Sequence, residues 1–208
     1  MTDANRRPLT SRDTRWAKAL AARLVAGRVT PNQISQASVG FAVLGFLFFW
    51  AVSASTGFLQ ALCLILAAAT VQLRLLCNLL DGMVAIEGGK SAATGPFWNE
   101  APDRAADALF LAGAGLAAQN PALGLAAAAL AMATAYVREL GRAEGFAPDF
   151  SGPMAKPHRM AALTFGCLVA VAYAPAWTLQ ATLWIIAFGT AATILRRSLR
   201  LLSNLDAR

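Results

Sequence analysis

The segment "CNLLDGMVAIEGGKSAATGPFWNEAPDRAAD", residues 77–107, gathers polar side chains in a chain that is otherwise strongly apolar. It holds five carboxylates and two asparagines. The whole chain has 208 residues, of which 57% are hydrophobic and only 14% are charged, and this composition is too apolar for a soluble domain of that size. The sequence therefore indicates an integral membrane protein whose polar chemistry is concentrated in residues 77–107.

The rest of the chain consists of long apolar runs separated by short polar stretches. A membrane-spanning helix needs roughly 20 mainly apolar residues, and six runs approach that length. The predicted spans are residues 34–54, 58–80, 101–118, 122–140, 161–173 and 177–195. The fifth is short unless its helix begins in the preceding loop. We therefore expect an all-α integral membrane fold with six transmembrane helices.

The positions of the basic residues predict how these helices are oriented. Seven basic residues precede the first span and four arginines follow the last, whereas the connectors "SASTG", "QNP" and "AYAPAW" carry no charge. By the positive-inside rule, both termini are expected in the cytoplasm, together with residues 77–107 and 138–159. The net charge of +7 suits anionic lipid headgroups at helix ends better than nucleic acid, so we expect no nucleic-acid partner.

The N-terminal residues 8–29 combine apolar side chains at helical spacing with interspersed arginines. The apolar positions are Leu9, Trp16, Leu20, Leu24 and Val25. This pattern predicts an amphipathic helix lying in the membrane interface, with a solvated basic tail as the alternative. We therefore divide the chain into a cytoplasmic juxtamembrane segment, residues 1–29, and one membrane domain, residues 30–208. No cleavable signal peptide is expected, because this segment lacks a continuous apolar core.

The sequence "TPNQIS", residues 30–35, marks the start of the first span. Thr30 is suited to the N-cap position, Pro31 to the first helical position, and Gln33 follows the cap by three residues. Together they form the pattern of a capping box, in which cap and third helical residue bond each other's backbone. The first helix is therefore expected to begin at Pro31, ahead of its apolar span.

The polar residues of the 77–107 segment fall on two helix faces. If the second helix continues past Leu80, four of its residues lie at successive turns on one face. They are Asn78, Asp81, Gly82 and Ala85. A second set shares a face at the start of the third helix, namely Asn99, Glu100, Asp103 and Asp107. Two polar helix ends are therefore expected on the same side of the membrane.

Carboxylates at these positions point to a cation site. Placing an ionised carboxylate in hydrocarbon costs at least about 2.5 kcal/mol, and facing anions need a cation between them. A hard divalent cation with oxygen ligands meets that need, and Mg²⁺ typically accompanies phosphate substrates. The later segment offers Arg138, Lys156 and Arg159, which are suited to holding phosphate. The alternatives are a solvated acidic loop and basic residues that serve orientation alone.

These residues resemble the fingerprint of the CDP-alcohol phosphatidyltransferase family, D-x2-D-G-x2-A-R-x8-G-x3-D-x3-D. Five of its eight positions match, namely Asp81, Gly82, Ala85, Gly95 and Asp103. The three departures are Asn78 and Asn99, which stand in the first and third Asp positions, and Ile86, which stands in the Arg position. The asparagine pattern is similar to a divergent bacterial branch of the family. The resemblance covers nearly the whole chain, since the spans and the basic N-terminal segment also fit.

The resemblance implies transfer of a substituted phosphate from a CDP-alcohol, usually CDP-diacylglycerol, to an acceptor alcohol, with release of CMP in phospholipid synthesis. It also implies a divalent metal, Mg²⁺ or Mn²⁺, in one or two copies. By position, Asp81 is the intact metal ligand, and Asp103 is a ligand and the general-base candidate. Asn78 and Asn99 become neutral oxygen ligands. The anions that could replace the missing charge are Glu100 and Asp107.

The same resemblance implies the remaining contacts and the location. The nucleotide-binding positions are Asn78, Asp81, Gly82, Ala85 and Gly95, and the phosphate or acceptor contacts are Arg138, Lys156 and Arg159. The expected location is the bacterial inner membrane, with membrane lipids around the helices, the site in the cytoplasm and the acceptor unidentified. Family members are often homodimers, so a second copy is a further expected partner.

Two other functions fit the sequence less well. A non-catalytic relative would keep the fold and bind a nucleotide-lipid or a membrane partner. A transporter would usually carry polar or broken segments near the middle of the membrane. Here the polar residues gather at helix ends, apart from Arg74, which lies about a turn deeper.

Overall fold

The computed structural model describes residues 14–87 and 94–208, apart from the side chains at positions 87, 96 and 99. Within these ranges the secondary structure consists of seven α-helices and no strand. They are α1 (Arg15–Ala26), α2 (Pro31–Ala54), α3 (Gly57–Glu87), α4 (Gly95–Ala117), α5 (Pro121–Ala143), α6 (Lys156–Ala172) and α7 (Pro175–Asp206). The all-helical architecture predicted from the sequence is confirmed for the described residues.

The start of α2 is the capping box that the sequence predicts. The backbone N–H of Gln33 donates to Thr30 Oγ1 at 3.3 Å, and the backbone N–H of Thr30 donates to Gln33 Oε1 at 2.9 Å. Pro31 occupies the first turn, where a missing N–H costs nothing. Local sequence therefore fixes where the first long helix begins.

Helices α2 to α7 pack into one bundle. Helix α2 packs on α3 and α4, α4 on α5, α5 on α7, and α6 on both α3 and α7, while α1 lies on α3. The core is apolar and contains the fully buried side chains of Phe49, Leu64, Phe110, Leu163 and Leu183. Helix α4 contacts α2, α5 and α7, so it is a central element of the bundle.

Four helices are long and apolar enough to cross a membrane: α2, α3 as far as Ile86, α5 and α7. The expected count of six is not confirmed, because α6 has only 17 residues and α4 carries four charged residues between Glu100 and Asp107. Large apolar side chains nevertheless cover the outside of the bundle, including Phe58, Phe165, Trp177 and Phe188. An exposed apolar surface of this kind marks a lipid or partner contact. The helices and this surface indicate a multi-pass membrane protein.

Several helices extend beyond the spans predicted from apolar runs. Helix α3 continues to Glu87, α4 starts at Gly95, α6 starts at Lys156 and α7 runs to Asp206. Apolar runs locate only the part of a helix that can lie in hydrocarbon, and they miss polar turns at either end. These added turns carry part of the predicted site, including Asp81, Lys156 and Arg159. Most of the expected flexible connector, residues 87–95, lies outside the described ranges.

Helix α1 covers part of the predicted amphipathic segment. Ala17 and Ala21 are fully buried against α3, whereas Trp16 is about half exposed. Leu9, which the sequence pattern includes in this helix, lies outside the described residues. The helix itself is present, and its placement in a membrane interface stays a prediction.

Candidate functional site

Three helices meet at the side chain of Asp103, which α4 places inside the bundle. Asp103 Oδ1 accepts hydrogen bonds from Asn78 Nδ2 at 2.8 Å and from Arg74 Nη2 at 2.8 Å, both from α3. Asp103 Oδ2 accepts a hydrogen bond from the ammonium group of Lys156 at the start of α6. The carboxylate predicted as the general base is therefore the centre of a polar cluster, which we call the Asp103 cluster.

Helix α3 presents Arg74, Asn78 and Asp81 at spacings of four and three residues, so all three lie on one face. Asp81 Oδ2 accepts a hydrogen bond from Ser35 Oγ of α2 at 3.1 Å, and its Oδ1 accepts the backbone N–H of Gly82 at 2.5 Å. Among the described residues, no cationic side chain bonds Asp81. Asp81 is thus the carboxylate of this face, and it forms no direct ion pair with a described side chain.

A second ion pair lies one turn deeper. Asp107 Oδ2 is 2.8 Å from Arg159 Nη2, and the two side chains are only 2% and 3% exposed. Arg159 Nη1 also donates to the carbonyl oxygen of Met154 at 3.0 Å. Arg74 Nη2 lies 3.7 Å from Asp107 Oδ1 and so connects the two layers. Buried charges of this kind are tolerated only when they are paired and hydrogen-bonded.

The loop before α6 delivers Lys156 to the cluster and is anchored on α7. Arg197 Nε donates to the carbonyl oxygen of Ser151 at 2.9 Å, and the backbone N–H of Met154 donates to Thr193 Oγ1 at 2.9 Å. Asp149 accepts the backbone N–H of Ser151 at 2.7 Å. Partial burial alone would raise the pKa of Asp149, but hydrogen bonds from Ser151 and the charges on α7 hold this pKa below its usual range. The loop is therefore fixed by several independent contacts.

A separate network of charges lies nearer the surface. Arg138 Nη2 is 2.6 Å from Glu100 Oε2, and Arg138 also pairs with Glu139 at 2.8 Å. Glu100 additionally pairs with Arg104, and Arg142 pairs with Glu139 at 2.8 Å. These side chains are partly exposed. Arg138 and Glu100 therefore belong with this surface network.

Of the predicted site residues, Asn78 and Lys156 contact Asp103, and Asp81 lies one turn further along the same face of α3. Gly82 and Ala85 are half-buried on the same helix, and a Cβ at Gly95 would meet nothing within 4 Å. Asn99 is also a predicted site residue, but its side chain is not among those that the structure describes.

Two arginines differ from the sequence interpretation. Arg159 is predicted to bind phosphate, but its guanidinium is buried against Asp107, Thr134 and the Met154 carbonyl. Arg74 is the residue that sequence reasoning missed as a member of the site. The sequence does contain evidence for this role, because Arg74 lies one helical turn before Asn78 on the same helix face.

The donor atoms of the cluster do not suit two divalent ions. No group of three or more His, Cys, Asp or Glu side chains arranged to hold a metal occurs in the described residues. Both oxygens of Asp103 already accept cationic donors, and Asn78 turns its NH₂ group, not its oxygen, toward that carboxylate. Asp81 is the remaining carboxylate, and together with neutral oxygens it suits one hard divalent ion.

The bundle is similar to solved structures of one class of membrane enzyme. With phosphatidylinositol phosphate synthase of Mycobacterium tuberculosis bound to CDP-DAG, the TM-score is 0.74 at 21% identity, covering 90% of this chain and 94% of that chain. With the same synthase in complex with manganese and citrate, the TM-score is 0.74 at 20% identity, covering 89% and 88%. With its apo form, the TM-score is 0.70 at 20% identity, covering 88% and 94%.

Neither a family model nor a curated protein matches the sequence. At about one identical residue in five, the structural similarity establishes the fold and leaves the activity to be argued from the site. The chain thus has the fold of that synthase along nearly its whole length.

Proposed function

We propose that this chain is a CDP-alcohol phosphatidyltransferase of phospholipid synthesis. It would transfer a substituted phosphate from a CDP-alcohol, CDP-diacylglycerol in the first instance, to an acceptor alcohol and release CMP. The observation that carries the proposal is the contact of Asn78 and Lys156 with Asp103 at the junction of three helices, with Asp81 one turn further along the same face of α3. Asn78, Asp81 and Asp103 occupy positions of the family fingerprint, and the fold is one in which a solved protein binds CDP-DAG.

The proposed reaction is a displacement at the phosphorus that carries the lipid group. The oxygen of the acceptor hydroxyl forms a new bond to this phosphorus, the bond from phosphorus to the oxygen of CMP breaks, and CMP leaves with the electron pair. Asp103 takes the proton of the hydroxyl. Lys156 and Arg74 both pair with Asp103, and these cations make it a weaker base. We therefore expect one of the two bonds to loosen when the donor phosphates arrive.

The cations around the cluster have different proposed roles. Lys156 is about one-fifth exposed, so its ammonium group is placed to move from Asp103 to a donor phosphate. Arg138 lies in the partly exposed network with Glu100 and is proposed to contact a phosphate of donor or acceptor. Arg159 is proposed to hold Asp107 and the floor of the site, because its bonds are made inside the protein.

We also propose a divalent ion, Mg²⁺ or Mn²⁺, held by Asp81 with the side-chain oxygens of Asn78 and Asn99. Such an ion neutralises the pyrophosphate of the donor and orients the attacking hydroxyl. A related structure in complex with manganese supports the use of a divalent metal. Of the two alternative anions, Asp107 is committed to Arg159 and Glu100 to Arg138, so neither replaces the charge missing at the asparagines.

The proposed setting is the bacterial inner membrane, with six spans, both termini and the site on the cytoplasmic side. Support comes from the basic residues of α1, which packs on α3, and from the uncharged connectors at the other end. Residues 1–29 would form the juxtamembrane segment and residues 30–208 the membrane domain. Membrane lipids, the acceptor alcohol and a second copy of the chain complete the proposed partners.

The proposal is tested by supplying the purified protein with labelled CDP-diacylglycerol, Mg²⁺ or Mn²⁺, and a panel of acceptor alcohols. Glycerol 3-phosphate and inositol phosphate belong in the panel because clustered basic residues favour phosphate-bearing acceptors. We expect CMP release that depends on one acceptor and is lost in Asp81→Ala. Glu144→Gln, in an exposed pair with Arg208, is the matched control and should retain activity.

A second candidate is a protein that binds a nucleotide-lipid without transferring its phosphate. The observation favouring it is that both oxygens of Asp103 are held by cations, which weakens this carboxylate as a base. Binding of CDP-diacylglycerol with no CMP release for any acceptor in the panel would decide for this candidate.

A further inference from the structure

Arg74 is the largest of the fully buried side chains among the described residues, and it lies within the apolar helix α3. A guanidinium in such a place costs several kcal/mol in lost hydration unless carboxylates compensate it. Arg74 Nη2 is 2.8 Å from Asp103 Oδ1 and 3.7 Å from Asp107 Oδ1. The position of this cation is therefore set by the carboxylates of the site.

The hydrogen bonds of Arg74 are incomplete. Its Nε and Nη1 atoms are buried and bond no partner among the described residues. A guanidinium kept only for its geometry would be expected to use its donors fully, because each unsatisfied buried donor costs about 1–3 kcal/mol. The compensation of Arg74 is thus mainly electrostatic, as it would be for a bound metal ion.

Among the described residues, the formal charges of the Asp103 cluster, of Asp81 and of the layer below cancel before any metal ion is added. The cationic side chains are Arg74, Lys156 and Arg159. The anionic side chains are Asp81, Asp103 and Asp107. Where the family fingerprint has two further aspartates, this chain has asparagines at 78 and 99. Negative charge that would attract a second ion is absent at these positions, and positive charge is present at Arg74.

We propose that Arg74 replaces a divalent ion at Asp103, so that each chain holds at most one metal ion. Its guanidinium pairs with Asp103 Oδ1, and Asn78 makes the second hydrogen bond to the same oxygen. The single ion would be the one at Asp81. This inference rests on the proposed function for the location of the metal site, and it predicts a property that is measured without any turnover.

The test counts Mn²⁺ ions bound per chain by following the paramagnetic resonance signal of free Mn²⁺ during a titration of the purified protein. The unmodified protein should bind no more than one. The double variant Arg74→Leu/Asn78→Asp, which frees Asp103 Oδ1 and adds a neighbouring carboxylate, should gain a further ion, with affinity at that site raised by roughly tenfold or more.

Two control variants separate this role from a structural one. Arg74→Lys keeps the cation and should keep the unmodified count. Arg142→Leu removes an arginine–carboxylate pair outside the cluster and should also leave the count unchanged. Thermal unfolding and elution volume show whether each variant is folded.

Two results would overturn the inference: two Mn²⁺ ions bound per unmodified chain, or a folded double variant that binds no more than the unmodified protein. The first needs no variant, so it decides the question even where the double variant does not fold. Absence of CMP release with every acceptor would instead remove the proposed function and leave the ion count standing. Zero ions on the unmodified chain, with a gain in the double variant, would support the role of Arg74 and remove the ion from Asp81.

Discussion

Asp107 and Arg159 form a hydrogen-bonded ion pair that is almost completely buried, at 2% and 3% side-chain exposure. The pair is hydrogen-bonded at 2.8 Å, and Arg159 has further bonds to Thr134 and Met154. Such a pair contributes little net stability over an apolar replacement, but removal of one partner leaves an uncompensated charge. Its expected role is to fix α6 against α4 and thereby to place Lys156 beside Asp103.

Removal of either partner of this pair should destabilise the protein strongly. We expect Asp107→Asn and Arg159→Met each to lower the free energy of unfolding by about 3–5 kcal/mol, because each leaves a buried charge without its hydrogen-bonded ionic partner. In Arg159→Met, Asp107 would keep only Arg74, at 3.7 Å. The double variant should lose clearly less than the sum. Thermal or denaturant unfolding in detergent measures all three.

The matched control is an exposed pair on α5. Glu139 and Arg142 are both 37% exposed, so Arg142→Gln should change the free energy of unfolding by less than about 1 kcal/mol. Equal losses in the exposed and the buried pair would show that burial does not govern these interactions, as would additive losses in the double variant.

For individual residues, the sequence predicts which side chains share a helix face, but it does not predict which side chains pair across helices. Asn78, Asp81 and Asp103 could be placed on two helix faces because helical periodicity is a local property. The bond from Lys156 to Asp103 joins residues 53 apart in sequence and depends on how α6 approaches α4. Arg74 was visible as a deep charge, but only packing shows that Asp103 and Asp107 surround it.

Helix α4 is held by different contacts at its two ends. The part of α4 up to Asp107 carries the ion pairs of Asp103 and Asp107. Near its C-terminal end, Gly115 meets Gly124 of α5 so closely that a Cβ at Gly124 would lie 2.6 Å from the Gly115 Cα. Small residues allow this backbone contact, as in other membrane helix pairs. The helix that presents the proposed base is therefore fixed by charge at one end and by close packing at the other.

Gly124→Ala should separate α4 and α5 and destabilise the protein by about 1–3 kcal/mol, the usual cost of overpacking. Unfolding in detergent measures it. The control is Gly40→Ala in α2, where a Cβ would meet nothing within 4 Å. That change should be neutral or stabilising by up to about 1 kcal/mol, because alanine favours a helix. A Gly124→Ala variant as stable as Gly40→Ala would contradict the close contact.

The helices themselves were largely predictable, and their ends were not. Apolar runs identify all six helices of the bundle, and the capping pattern at Thr30 identifies the start of α2. The predicted fifth span starts at residue 161, whereas α6 starts at Lys156. The five additional helical residues, 156–160, are important because they place Lys156 and Arg159 on one helix face instead of in a loop. A search for apolar runs does not detect charged helical turns. The carboxylates that stabilise these turns lie on another helix and are distant in sequence.

The whole molecule combines an apolar exterior with a polar cluster at the junction of α3, α4 and α6. Exposed aromatic and aliphatic side chains such as Phe58, Trp177 and Phe188 lie on the outside, while the charges of the cluster face inward. Composition alone predicted the membrane class, because 57% hydrophobic content admits few other folds. The arrangement of helices was reachable only through the family resemblance, and the structural similarity to the mycobacterial synthase agrees with it.

Release of CMP from CDP-diacylglycerol by Asp103→Asn, beside the unmodified protein and Glu144→Gln, tests the central claim most directly. The reaction contains the acceptor that the panel selects. Asparagine keeps the shape of Asp103 but cannot accept the proton, so we expect release to fall by about 100-fold or more, while Glu144→Gln retains it. CMP release by Asp103→Asn at the rate of the unmodified protein would contradict the assignment of the Asp103 cluster as the catalytic site.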